Sequence, residues 1–113
     1  MNVKNDAGML KDRYLSWTEA EFQDAIIEYA HDHGWLVAHF RPAMVRSGKW
    51  VTPMQGDVGF PDLVLAKGGV VYHWELKRGD EKPTGYQVAW IEALNGRVLH
   101  PADWPAVKVV LED

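Results

Sequence analysis

Asp62, Glu75 and Lys77 are the side chains whose types and spacing could do chemistry. Asp62 follows a Gly59-Phe60-Pro61 turn and opens a short apolar run to Ala66. A Gly68-Gly69 pair follows, and a second apolar run, from Val70, ends in Glu75-Leu76-Lys77. If both runs are strands, side chains alternate faces, so Glu75 and Lys77 point the same way and Leu76 points into the opposite layer. A hairpin would then bring Asp62 close to Glu75 at one edge of the sheet. Two clustered carboxylates repel, and burying them uncompensated is costly, which makes a divalent cation the natural third party. All-oxygen ligands with open positions suit Mg²⁺ or Mn²⁺, with the Leu76 carbonyl as a further ligand. Such an ion can lower the pKa of a bound water and neutralise charge building on a phosphate, while Lys77 positions the water or stabilises that charge. A bare Glu-x-Lys is common and by itself describes a surface cross-face pair worth a fraction of a kcal/mol. The linked set of turn, strand, Gly-Gly and second strand shifts the balance toward a site.

The elements that must position these residues are legible around them. Thr18 and Glu21 form a capping-box pattern that opens a helix from Glu19 to His33, with Phe22, Ile26, Tyr29 and Ala30 as its apolar stripe and Gly34 at its end. Residues 35–40 have strand character, whereas 41–59, rich in Pro and Gly, read as a long loop. Pro83-Thr84 opens a second helix with Val88, Ile91 and Leu94 on its apolar face and Trp90 beside them. Asn95-Gly96 ends it, and 97–99 is a last short strand. Residues 101–111 form a turn and a short terminal helix, although 107–111 also fits a strand. The order predicts an α/β fold, a small mixed sheet flanked by helices. Residues 1–16 read as a flexible or loosely docked arm, and 17–113 as the single domain that this length allows.

Composition limits the function classes. The net charge of −4 argues against coating nucleic acid by bulk charge, but not against an enzyme with a local basic surface. The chain has no Cys, so a disulfide framework and a thiolate zinc site are excluded, and a reducing, cytoplasmic compartment is expected. No apolar stretch is long enough for a signal peptide or a membrane span. His31 and His33, two apart on a helix, make a poor metal pair. His39, His73 and His100 are scattered over strand ends, and His73, on the Glu75 face, is a candidate site neighbour that reads more readily as a partly buried strand histidine.

Taken together, the motifs resemble the VRR-Nuc (virus-type replication-repair nuclease) branch of the PD-(D/E)XK nucleases, in particular its small stand-alone, often phage-borne members. The matching residues are Thr18-Glu19, Phe22-Gln23 and Gly34-Trp35, then Gly59 to Leu65, Glu75-Leu76-Lys77, Gln87 with Trp90 and Leu94, and Pro101 with Asp103-Trp104. The resemblance spans residues 18–111. It implies a restriction-endonuclease-like core and Mg²⁺- or Mn²⁺-dependent phosphodiester hydrolysis, with no organic cofactor. Asp62 and Glu75 would bind metal and Lys77 would be catalytic. Glu19 would add an acidic group, through a water if not directly, and Gln87 would support the site or the scissile phosphate. Glu21 competes with Glu19 for that role, though it already has a capping task. Stand-alone relatives act on branched DNA, including four-way junctions, as homodimers in a bacterial or phage-infected cytosol. The loop before Gly59 is longer than in that family and holds Met44, Trp50, Met54 and Asp57, which bears on substrate preference more than on chemistry. Arg41, Arg46, Lys49, Arg78 and Lys82 form either a phosphate-binding rim or a solvated, charge-balanced surface. Trp50 either stacks on an unpaired base or packs its loop. The competing reading is a DNA-binding or assembly module on the same fold that does not cut.

Overall fold

The computed structural model describes residues 12–40, 43, 44, 46–51 and 55–113, with the backbone alone at 43, 44, 50 and 51. Helix α1 (Glu19–Asp32) is opened by the capping box expected of it. The Thr18 Oγ1 accepts the Glu21 amide at 3.1 Å, and Glu21 Oε1 accepts the Thr18 amide at 3.0 Å. Strand β1 (Leu36–His39) follows, then a small ribbon of β2 (Ala43–Met44) and β3 (Trp50–Val51). Strands β4 (Leu63–Lys67) and β5 (Val70–Leu76) form the predicted hairpin. Its two-residue turn needs positive φ at both positions, which Gly68 (+56°) and Gly69 (+85°) supply. Helix α2 (Gly85–Leu94) crosses to β6 (Arg97–Leu99), and α3 (Trp104–Glu112) ends the chain.

The sheet has the order β1-β4-β5-β6, antiparallel except for the β5–β6 pair, which is parallel. The fold is thus mixed α/β, a small mixed sheet flanked by three helices. One face carries the core. Phe22, Ile26 and Ala30 recur every four residues along α1 and meet Leu63, Leu65, Trp74 and Leu76 from the inner strands, with Val107 and Leu111 of α3. Trp35 joins them, its Nε1–H donating to the Leu111 carbonyl at 2.9 Å, so a buried polar edge is satisfied where α3 docks. Apolar residues at 107 and 111 lie one helical turn apart, and residues 104–112 are helix, not strand.

Three expectations change. The segment 41–59 is not loop throughout, because Ala43 pairs with Val51 and Met44 with Trp50. Arms of two residues are too short to show strand periodicity in a sequence. Arg13–Ser16, placed in the loose arm, form a 3-10 turn beside a second one at Pro101–Asp103. The Tyr14 ring lies edge-on to Trp17, which stacks on Phe22, so the packed domain starts before residue 17. Helix α2 buries no residue fully: Val88 stays exposed, while Ile91, Leu94 and Trp90 are half-buried. Among the described residues no helix is long and apolar enough to cross a membrane.

Candidate metal centre

The ends of β4 and β5 and the start of α1 converge on one point. Carboxylate oxygens of Glu19, Asp62 and Glu75 all lie within 4.8 Å of one another, the one such acidic or histidine cluster among the described residues. The strands concerned are the two inner ones, so the site sits at the end of the sheet centre, not along an edge strand. Asp62 is placed by its backbone and its side chain alike. Its carbonyl accepts the Phe40 amide at 3.1 Å from β1. Its Oδ2 accepts the Leu76 amide at 2.9 Å, taking over the ladder just past the last paired residues, Leu63 and Trp74. In extended backbone a carbonyl faces the same side as its residue's amide, so the Leu76 oxygen is directed toward the Asp62 side. Gly59 fixes the preceding turn. It has φ +96°, and a Cβ there would sit 2.7 Å from the Tyr86 carbonyl carbon of α2. Only glycine allows that approach.

Glu75 is the centre of the arrangement and is 1% exposed. Its Oε2 accepts Gln87 Nε2–H at 3.0 Å and lies 3.6 Å from Lys77 Nζ. Its Oε1 is buried and receives no hydrogen bond from an N–H or O–H donor among the described residues, the Asp62 carboxyl being its acidic neighbour. Leu76, between them, is fully buried in the core on the other face, as strand alternation requires. Gln87 does two jobs: its Oε1 accepts the Thr84 amide at 2.9 Å in a capping box, which turns its Nε2 toward Glu75.

The electrostatics follow from this crowding. Burial, then the Asp62 charge, push the Glu75 carboxyl up to about 8, with Lys77 opposing. Asp62 is also raised, burial outweighing the Leu76 amide, the Glu75 carboxyl and Lys77. Glu19 is raised by burial, then by Asp62, with a smaller push from Glu81. All three carboxyls are raised, so negative charge is disfavoured where their oxygens meet, and a cation there would relieve it. The donor set is all oxygen, and one buried oxygen is unmatched, so the residues fit a hard divalent ion.

The sequence-derived residues divide cleanly. Glu19, Asp62, Glu75, Lys77 and Gln87 are brought together, whereas Glu21 stays exposed in its cap. Arg78 and Lys82 are exposed on the turn leaving β5. Arg46 and Lys49 are exposed on the turn of the separate β2–β3 ribbon, while Arg41 and the Trp50 side chain lie outside the described residues. His73 is half-buried with its ring edge-on to Phe60, and His33 stacks on Tyr29. The sequence did not announce the double use of Gln87, although Thr84-x-x-Gln87 repeats the capping pattern of Thr18-x-x-Glu21. Nor did it announce that the Glu81 charge is felt at Glu19, which depends on a turn with no periodic signal.

Fold and site define a small α/β domain with a buried carboxylate–lysine centre. Comparison with protein-family models, with curated proteins and with solved structures gives no match for this chain.

Proposed function

We propose that the protein is a divalent-metal-dependent endodeoxyribonuclease of the VRR-Nuc type, acting on branched DNA such as four-way junctions and working as a homodimer. The observation that carries this reading is the buried, unpartnered Oε1 of Glu75, set among two further carboxylates and beside Lys77. A fully buried acid with an orphaned oxygen costs stability unless something binds it. A surface Glu–Lys pair would be exposed and satisfied.

Mg²⁺ or Mn²⁺ held by Glu19, Asp62 and Glu75 would supply the Lewis acid for phosphodiester hydrolysis. The chain's own residues do the rest. Lys77 directs an ammonium toward the same small volume, where it orients the attacking water and stabilises charge on the phosphate oxygens. Gln87 holds Glu75 in one rotamer, and the Leu76 amide does the same for Asp62. Water adds to phosphorus, the P–O bond to one sugar breaks, and that sugar oxygen leaves with a proton. The preference for branched DNA and the dimer rest on the sequence resemblance. A two-fold junction is most simply handled by a symmetric dimer with two sites.

The test is cleavage of plasmid and of a synthetic four-way junction with Mg²⁺ or Mn²⁺. Glu75→Ala and Lys77→Ala are each expected to lower the rate by roughly two orders of magnitude or more while the protein stays folded. Unchanged cutting by both variants would sink the assignment. Salt-sensitive DNA binding with no cleavage under any metal would favour the non-catalytic module.

A further inference from the structure

The turn that leaves β5 carries Arg78 immediately after Lys77 and runs into Lys82, and both cations are exposed. Consecutive residues of another segment hold its two ends. At the near end the Lys77 amide donates to the Leu99 carbonyl at 3.0 Å. At the far end His100 Nε2 lies 2.7 Å from the Glu81 carbonyl. A carbonyl can only accept, so the imidazole is the donor and carries its proton on Nε2. The imidazole is itself placed locally. The His100 amide donates to Asp103 Oδ2 at 2.8 Å, and Nδ1 lies 3.9 Å from that same oxygen.

Between these points the turn is closed by one backbone bond, Glu81 amide to Arg78 carbonyl at 3.0 Å. Residues 78–82 are all exposed, with no apolar anchor. Among the described residues, no other side-chain hydrogen bond or ion pair reaches them. Exposed, polar backbone of this kind opens at low free energy unless something pins it. We propose that His100 is a positioning residue. Its Nε2–H pins the Arg78–Glu81 turn so that Arg78 and Lys82 present a fixed cationic rim to the phosphates flanking the acidic site. The proposal rests on the nuclease reading for the identity of the polyanion. The clamp itself does not.

Three variants separate the contact from mere presence of a side chain. His100→Gln puts an amide N–H close to the position of Nε2, His100→Asn puts one near Nδ1, and His100→Ala supplies neither. Hydrogen exchange over residues 78–82 is expected to quicken in His100→Ala and His100→Asn and to stay near wild type in His100→Gln. Junction DNA binding, read by anisotropy with Ca²⁺ in place of Mn²⁺, should weaken in the same two variants. Its salt slope should become shallower by about 1, as losing one phosphate contact requires. Exchange unchanged in all three, or His100→Gln as loose as His100→Ala, would overturn the clamp. Faster exchange with unaltered DNA affinity and slope would overturn the positioning role. If the wild type neither binds nor cuts DNA, the nuclease reading fails and the positioning role with it, while the exchange pattern still decides the clamp.

Discussion

The two long elements flanking the acidic site begin with the same device and use it differently. At α1, Thr18 and Glu21 close a capping box that is exposed, and the site receives Glu19, two residues earlier. At α2, Thr84 and Gln87 close the same box, but there the third residue also donates to the buried Glu75. A carboxylate at that position would cap equally well, since Glu and Gln both complete the box. It would also place a further negative charge against a carboxyl that burial and Asp62 already resist ionising. Where the cap faces solvent the chain has an acid, and where it faces the site it has an amide.

The strongest way to break this comparison is to exchange the chemistry. Gln87→Glu keeps the cap but replaces a donor with an acceptor. It is expected to lower cleavage by roughly ten- to a hundred-fold, the scale of losing a group that orients a metal ligand, with circular dichroism unchanged. Cutting at wild-type rate would mean that Gln87 is only a cap.

A second test concerns pH. Without metal, folding raises the Glu75 carboxyl from an ordinary 4.5 to about 8. The folded state therefore holds a proton that the unfolded chain releases between those values. Its stabilising contribution is complete below about 4.5 and is lost as pH rises through about 8. Asp62 and Glu19, raised as well, act in the same direction. Metal-free protein should lose denaturation midpoint between pH 5 and pH 8.5 in urea titrations, and Glu75→Gln should flatten that loss. A midpoint that rises with pH would contradict the burial account.

Smaller effects sharpen the contrast. Thr18→Ala and Thr84→Ala should each cost about 1 kcal/mol in urea titrations, as lost caps do. Only Thr84→Ala should also slow cleavage, by several-fold, because losing the Thr84 Oγ1 acceptor of the Gln87 backbone amide loosens the first turn of the helix that carries Gln87 to Glu75, although the Thr84 amide can still hold Gln87 Oε1. Equal activity losses would show that the two caps are equivalent. Smallest of all, Glu21→Gln should shift stability by less than about 0.5 kcal/mol, a surface-scale change, and leave cleavage untouched.

What the sequence makes legible follows from the range of its signals. The helix carrying Phe22, Ile26 and Ala30, and the hairpin across Gly68-Gly69, are local patterns with a fixed period. Once the hairpin register is set, Asp62 and Glu75 must lie near each other, so the heart of the site can be read before any fold is known. The capping pattern of Glu21 favours Glu19 for the site but does not by itself decide between them, because both lie in the first turn of the helix. The β2–β3 ribbon escapes because two-residue arms carry no period. The open face of α2 escapes because periodicity shows which residues share a stripe, not how deeply the sheet takes it up. The His100 clamp joins residues far apart in sequence through one hydrogen bond, and no spacing encodes it.

The central claim is that Glu19, Asp62 and Glu75 hold a divalent ion in place of a proton. Titration of Mn²⁺ into the protein at pH 7, by calorimetry in buffers of different ionisation enthalpy, tests it most directly. The account predicts saturable binding with release of up to about one proton, since Glu75 is largely protonated there and must ionise to bind. Both binding and proton release should be lost in Glu75→Ala. No binding, or binding undiminished in that variant, would contradict it.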